Sequence, residues 1–448
     1  MKKIHQPKGL FVIAGTEIFE RISFYSISFN LVLYTSAAKD KGGLGWLPEH
    51  ALYLAGLYTF AAFTLPLIGG FLADKFIGSY RSVVLGALMI MMGHLLLYFA
   101  TPHHRSILYF ALLLTSSGTG FLKPCMPTLL GRLYPPNDIR QDGGFKIYYM
   151  GINVGGMIAG ILSGSLAAVY GYQLTLSMAA IGMLTGLIVF VLGSRYLNIS
   201  DAPMNSKVIL PENTIPLTEL HKRSLKYLGL SFIFLALWCV AYNIALSGTL
   251  SYYIEKFTSR TAFGFEIPTT YFMSWESLSI IISAPIISYI LIQFAAKRKK
   301  VHFFSQMNFA LFIVSIGMFY LTYLSYKAQN VIGNELPFHY PPFLIFIFLV
   351  AVSEVMMSPV MMSAISILSP SRYRGLLQGV YLAALGLTGL LAGKIGAISL
   401  KHPFETFLIV SVILGVGSLI FFAIQKNMVH VAEAAENEME KQRNTSIA

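Results

Sequence analysis

Apolar runs of about twenty residues recur along nearly the whole chain, separated by short polar breaks. That spacing matches helices long enough to cross a hydrocarbon layer roughly 30 Å thick. Twelve spans can be drawn: 10–35, 50–72, 80–100, 106–131, 145–169, 172–194, 225–252, 269–295, 302–325, 342–367, 374–399 and 404–424. The pattern predicts an all-α membrane protein with twelve transmembrane helices. One stretch breaks the rhythm. Residues 195–224 are polar and hold Pro203, Pro211 and Pro216, which reads as a cytoplasmic linker between two six-helix bundles, 1–194 and 225–425. The tail, 426–448, carries Glu433, Glu436, Glu438 and Glu440 and reads as a loose or short amphipathic cytoplasmic segment. A six-plus-six arrangement is the transporter architecture in which substrate binds near the midplane between halves that rock.

An even number of spans places both termini on one side, and the cations decide which. Lys2, Lys3 and Lys8 precede the first span, Lys75 and Arg81 follow the second, and Arg132 and Arg140 follow the fourth. Lys297, Arg298, Lys299 and Lys300 follow the eighth, and Arg372 and Arg374 the tenth. The opposite loops hold fewer: Lys39, Lys41, Arg105, Lys256, Arg260, Lys327 and Lys401. Cytoplasmic loops carry the excess of Lys and Arg, so both termini are expected in the cytoplasm, with the chain spanning a bacterial inner membrane.

Composition agrees. Charged residues make up 12% and hydrophobic ones 55%, whereas soluble domains carry about 25% charged residues. A net charge of +12 would suit nucleic acid, but its distribution makes it topogenic and able to touch anionic lipid instead. Membrane lipids are therefore expected partners and nucleic acid is not. Cys125 and Cys239 lie inside apolar segments and imply no disulfide framework. The first apolar run is long and charged and lacks a small-residue cleavage site, which argues against a signal peptide. The chain shows no metal-spacing His/Cys cluster, P-loop or nucleophile elbow, so neither enzyme chemistry, a metal nor a cofactor is expected.

Candidate chemistry enters with three charges inside the first span. Glu17, Glu20, Arg21, Phe24 and Ser28 fall on one helical stripe about 100° wide. A charge at the bilayer centre costs at least about 2.5–3.5 kcal/mol, so these groups must face each other, a partner or water. They read as a proton or ion relay facing a central cavity, with a structural ion pair as the alternative. Lys123 lies mid-helix and needs an anion. Glu354 is the mid-helix carboxylate of the second half besides Glu276, so Lys123–Glu354 is the expected gate pair between halves. Glu276 either lines the cavity or sits near the external end of the eighth span. Asn153 can donate to and accept from a peptide terminus or amide, or glue two helices. Tyr25, Tyr149, Trp238, Tyr242, Asn243 and Tyr381 are candidate cavity walls, packing being the alternative for each. His94 reads as a hydrogen-bonded core residue rather than a proton carrier.

Local motifs sharpen this. Gly69-Gly70-Phe71-Leu72-Ala73-Asp74-Lys75-Phe76-Ile77-Gly78-Ser79-Tyr80-Arg81 resembles the G-x-x-A-D-R/K-x-x-G-x-x-R loop of the major facilitator superfamily. Asp74 and Arg81 are the expected cytoplasmic gate. Glu17 to Tyr25 resembles the E-x-x-E-R-F-x-Y-Y motif of the proton-dependent oligopeptide transporters, the POT/PTR family. Phe145 to Gly156 (with Tyr148, Tyr149 and Asn153) is similar to that family's fifth-helix F-Y-x-x-I-N-x-G signature. Gly118 to Pro124 is similar to its G-x-G-x-x-K-P, and Glu354 with Leu368 to Gly375 to its tenth helix and the following loop.

The resemblance implies the major facilitator fold and proton-driven symport of di- or tripeptides into the cytoplasm by a monomer, with protons as the coupling ion. Glu17, Glu20, Arg21, Lys123 and Glu354 would couple protons. Tyr25, Ser28, Lys123, Tyr149, Asn153, Trp238, Tyr242, Asn243, Glu354 and Tyr381 would line the substrate site. The departures matter as well. The family's first-helix arginine, seven residues beyond the motif arginine, is Ser28, and its seventh-helix glutamate is Tyr242. Those two positions can form a salt bridge between halves in the family, and losing both together avoids a lone buried charge. Two family tyrosines are Phe24 and Phe63. A peptide carboxylate would find fewer partners, so a non-peptide organic metabolite remains an alternative cargo, and a non-transporting membrane sensor or scaffold is a third reading.

Overall fold

A backbone surrounded by lipid must satisfy its hydrogen bonds within each segment, which leaves helices as the elements of a chain so apolar. The computed structural model describes residues 5–135, 138, 140–197, 218–246, 248–262, 264–297, 301–329, 338–369 and 371–447. Within the expected linker, 198–217 with Pro203, Pro211 and Pro216 lies outside these residues, as do Lys2, Lys3, Arg298, Lys299, Lys300 and Pro370.

The first half contains α1 (Lys8–Ser36), α2 (Pro48–Leu72), α3 (Ser79–Leu97), α4 (Arg105–Gly131), α5 (Arg140–Tyr170) and α6 (Tyr172–Gly193). The second contains α7 (Glu219–Leu246), the short α8 (Thr249–Phe257), α9 (Thr270–Ala296), α10 (Phe303–Gln329), α11 (Pro341–Leu368), α12 (Ser371–Ser399) and α13 (Pro403–Ile447). Twelve long helices thus occupy the twelve predicted spans. Ten of the helical stretches are both long and apolar enough to cross a membrane, judged on the described residues. The two long helices outside that set, α1 and α4, are those that hold Glu17, Glu20, Arg21 and Lys123.

Three details differ from the sequence reading. The expected span 225–252 is broken, because Gly248 takes φ 96°, in the left-handed region, between α7 and α8. Glycine is required there twice over, since a Cβ at 248 would also lie 2.3 Å from Val32 Cγ2. Of the two forms expected for the tail, loose or short and amphipathic, the second is nearer, but the helix is long. The tail continues α13, burying Met428, Val431, Ala432 and Ala435, and Thr218 donates to Glu438 at 2.9 Å. The loops also carry four two-residue strands. Strand β1 (Thr258–Ser259) pairs in parallel with β4 (Phe338–His339), and β2 (Thr261–Ala262) pairs antiparallel with β3 (Phe265–Glu266). Arg260 fixes this corner through Glu255 at 3.0 Å and Glu266 at 2.6 Å.

Helix α1 packs on α2, α5 and α6, while α4 lies against α2 and α3. In the second half α10 packs on α11 and α13, α9 on α11, and α7 on α12 and α13. The halves meet along two main seams, α2 against α12 and α5 against α9. Lipid tails are as apolar as the helices, so such contacts depend on close approach and hydrogen bonds. Small residues supply both. A Cβ on Gly56 would lie 2.8 Å from the Gly389 carbonyl oxygen, and one on Gly160 would lie 2.1 Å from Ser274 Oγ. Across the second seam Thr270 Oγ1 donates to Gly160 O at 2.7 Å, and Ser274 Oγ donates to Met157 O at 2.8 Å.

Candidate functional site

Two groups of ionisable side chains lie in the interior, one in each half. The first is built on α1, whose wheel turns Glu17, Glu20 and Arg21 inward, where they are 1%, 0% and 3% exposed. Arg21 Nε lies 3.2 Å from Glu17 Oε1, and the same guanidinium touches Glu20 directly. Tyr148 of α5 donates to Glu17 Oε2 at 2.9 Å, and Thr119 of α4 reaches Glu20 Oε1 at 3.5 Å. The Arg21 guanidinium also covers the Phe24 ring at 4.9 Å. Lys123 sits within electrostatic reach of Arg21, Glu20 and Glu17, and its Nζ stands 4.0 Å over the Phe63 ring, a cation–π contact. Two carboxylates and two cations balance this group, which is how buried charge becomes tolerable.

Tyr148 escaped the sequence reading as a site residue, although it lies beside Tyr149. One turn before Gly151, it shares the α5 face that meets α1, which was the available signal. Tyr148→Phe leaves a buried carboxyl oxygen without its donor, a loss of about 1–3 kcal/mol. The melting temperature of the purified protein should fall and uptake should slow. Unchanged values for both would show that the bond contributes nothing in the membrane.

The second group comes from the other half. Glu276 of α9 is 4% exposed and accepts from Ser277 at 3.2 Å. Glu354 of α11 lies within electrostatic reach of its carboxyl, and Tyr242 of α7 within reach of both. Glu276 is thus turned inward, six residues from the start of α9. Tyr25, Tyr149 and Tyr242 all lie within electrostatic reach of both carboxyls, and Tyr381 within reach of Glu354. The Tyr149 hydroxyl and one Glu354 oxygen are buried without a hydrogen-bond partner.

The expected Lys123–Glu354 pair is not formed. Lys123 is engaged by Phe63 and the α1 group, while Glu354 lies in the electrostatic surroundings of Glu276, Tyr149 and Tyr242. Two expected wall residues are held by packing and hydrogen bonds. Trp238 is fully buried, donates to Ser353 at 3.0 Å and stacks on Tyr242. Asn243 ties α7 to α12 through Leu385 O and Thr388, both at 3.2 Å. Asn153 donates to Tyr149 O on its own helix at 3.1 Å, and Ser28 is half-buried on α1. At the end that holds the termini, Asp74 and Arg81 are exposed, and the cation acting on Asp74 is Arg132 rather than Arg81. His94 is a core residue as expected, with Ser23 Oγ at 2.6 Å and Leu176 O at 2.7 Å occupying its two ring nitrogens.

Comparison with known proteins gives the family. The sequence matches the family model of the POT family over residues 80–215 and 203–412. The chain belongs to the POT family. The peptide transporter YePEPT of Yersinia enterocolitica is 29% identical over 87% of this chain and 86% of its own length. A di-/tripeptide transporter of Lactococcus lactis is 38% identical over 42% of this chain and 38% of its own. The crystal structure of peptide transporter POT in complex with sulfate is similar in fold, with a TM-score of 0.81 at 24% identity over 96% of this chain and 97% of that one. The fold is thus the major facilitator fold of two six-helix bundles, and as a POT member the protein is an integral membrane transporter rather than an enzyme.

Proposed function

We propose that this protein is a proton-coupled symporter that carries di- or tripeptides, or peptide-like small molecules, into the cytoplasm by alternating access. The observation that carries this reading is the division of buried charge between the halves. The first half offers cations, Arg21 and Lys123, beside Glu17 and Glu20, and the second offers Glu276 and Glu354 with tyrosines nearby. A peptide is a zwitterion of matching polarity, and the relatives named as peptide transporters support the same cargo.

In this reading Glu17 and Glu20 take up and release a proton while Arg21 and Lys123 hold their charge. Tyr25, Ser28, Tyr149, Asn153, Tyr242, Glu354 and Tyr381 contact cargo. Asp74 and Arg81 belong to a gate on the cytoplasmic side, where both termini lie, and the protein works as a monomer in a bacterial inner membrane. The coupling agent is the proton, with no cofactor. The proton forms an O–H bond on a first-helix carboxyl, loosens its pairing with Arg21 and leaves to water on the opposite side. Rocking of the halves along the two glycine-lined seams then exposes the cavity to each side in turn.

Proteoliposomes loaded at neutral pH and placed in acid medium test this. A fluorescent dipeptide should accumulate with an inward proton gradient and only equilibrate without one. Gradient-driven uptake of other organic ions but not of dipeptides would favour the alternative cargo. The absence of all transport would favour a sensor. A second arm addresses Ser28, which replaces a cation by a hydroxyl. A charge-assisted contact to a carboxylate is worth about 1.5–3 kcal/mol. A dipeptide amide should therefore compete nearly as well as the free acid, and a strong preference for the acid would show that Arg21 or Lys123 holds the carboxylate.

A further inference from the structure

Where α1 begins and α6 ends, two cations share one aromatic ring. Lys8 Nζ stands 5.6 Å from the centroid of the Tyr196 ring, and Arg195 Cζ stands 4.9 Å from the same centroid. Tyr196 closes a short helical turn, Ser194–Tyr196, that follows α6 directly. Two glycines bring this turn onto α1. A Cβ on Gly9 would lie 2.6 Å from the Tyr196 carbonyl oxygen, and one on Gly193 would lie 2.4 Å from Val12 Cγ1. Leu197 is buried beyond the turn, and its N–H donates to Ser194 O at 2.9 Å. Backbone packing thus presets the ring on which the two cations converge.

Charge there is unbalanced. Lys8, Arg195 and Tyr196 are all exposed, and neither cation forms an ion pair among the described residues. Other cations at the same end are matched: Arg140 pairs with Asp138 and Lys146 with Asp142, both at 2.7 Å. The first turn of α1 holds no acidic residue and its start has no side-chain cap. The partial positive charge of that helix end therefore adds to the charge of Lys8. Like charges held this close favour an anion beside them.

The neighbouring surface says which anion. Toward the middle of the membrane, Ile181, Leu184, Ile188 and Leu192 follow one face of α6 at intervals of three and four residues, and all are exposed. Phe11 of α1 is 60% exposed on the adjoining helix. A small inorganic anion would make no use of such a stripe. A molecule with a phosphate head and acyl chains matches the cations and the stripe together.

We infer that the start of α1 and the end of α6 form a binding site for an anionic phospholipid of the leaflet at that end. Lys8 and Arg195 hold its phosphate beside Tyr196, and an acyl chain lies along the α6 stripe. The site stands apart from the cargo path and does not rest on the symport reading. Because the phosphate bridges α6 and the helix that carries Glu17, Glu20 and Arg21, the lipid stabilises the first half.

The test uses the full chain in nanodiscs of phosphatidylcholine, with or without phosphatidylglycerol. The melting temperature should be higher with phosphatidylglycerol, and that lipid should stay bound in native mass spectra of protein released from the discs. Each Lys or Arg beside an anionic leaflet contributes roughly fivefold to binding. Lys8→Gln with Arg195→Gln should therefore cut retained phosphatidylglycerol by about tenfold or more and remove the melting difference. Lys75→Gln with Lys226→Gln takes the same charge from exposed positions at the same end and should leave both readouts nearly unchanged. Lys8→Arg with Arg195→Lys should keep the lipid. Equal losses in the two glutamine variants would show diffuse attraction and overturn the site, as would equal retention of the two lipids by the native protein. Inorganic phosphate that displaces the lipid or matches its effect on melting would show a free-anion site and overturn the lipid assignment.

Discussion

Arg21→Met abolishes transport and lowers the thermal stability of the protein sharply. The substitution is close in volume, so packing is largely kept and charge is what changes. Glu17 and Glu20, 1% and 0% exposed, then lose the guanidinium that touches both, and only the more distant Lys123 opposes them. Removing one partner of a buried ion pair costs about 3–5 kcal/mol, a large share of the roughly 5–15 kcal/mol that separates most folded proteins from unfolding. A second variant separates stability from coupling. Adding Glu20→Gln to Arg21→Met removes one uncompensated carboxylate, so melting should partly recover while gradient-driven uptake stays lost. Glu20→Gln alone should lose accumulation but keep counterflow exchange, because exchange does not require the proton to leave. Melting in detergent and uptake in proteoliposomes are the two measurements. Normal gradient-driven uptake by Glu20→Gln would remove the α1 carboxylates from the proton path.

Gly160→Leu stops the cycle by a different route, leaving the ion groups untouched. A Cβ at 160 meets Ser274 Oγ at 2.1 Å and the Thr270 backbone oxygen at 2.5 Å, and the backbone atom cannot swing away. Overpacking of this kind costs about 1–3 kcal/mol. Here the cost falls on the arrangement in which α5 and α9 are closed, and each 1.4 kcal/mol moves a two-state balance about tenfold. Uptake should drop by about tenfold or more, while a cysteine near Thr270 becomes more reactive as that end stays open. Gly56→Val on the other seam should act in the same direction, since its Cβ meets the backbone of Gly389 and Gly393. Wild-type uptake in both variants would mean that the seams do not separate during transport.

Most of the fold was legible because lipid leaves one solution for a long apolar segment. Length and hydropathy therefore placed twelve helices, and the cost of charge in lipid singled out Glu17, Glu20 and Arg21. Partners were harder to read. Lys123 and Glu354 were matched as opposite charges, but sequence does not report that an aromatic face or a second carboxyl stands nearer. Trp238 and Asn243 occupy plausible inward positions, yet a helix with neighbours on several sides buries more than one face. The break at Gly248 hides in an apolar run, since hydropathy is blind to φ. The length of the tail helix hides among its glutamates, although Met428, Val431, Ala432 and Ala435 share a common buried side.

That last helix has a practical consequence. Its 45 residues extend about 68 Å at 1.5 Å per residue, more than twice the thickness of a hydrocarbon layer. Because Asn427 and Glu438 are bonded to Tyr227 and Thr218 beside the start of α7, the projecting part is a rigid lever rather than a tether. A fluorophore attached near residue 438, paired with one on the first half, would turn a small rotation between the halves into a displacement large enough to follow in single molecules.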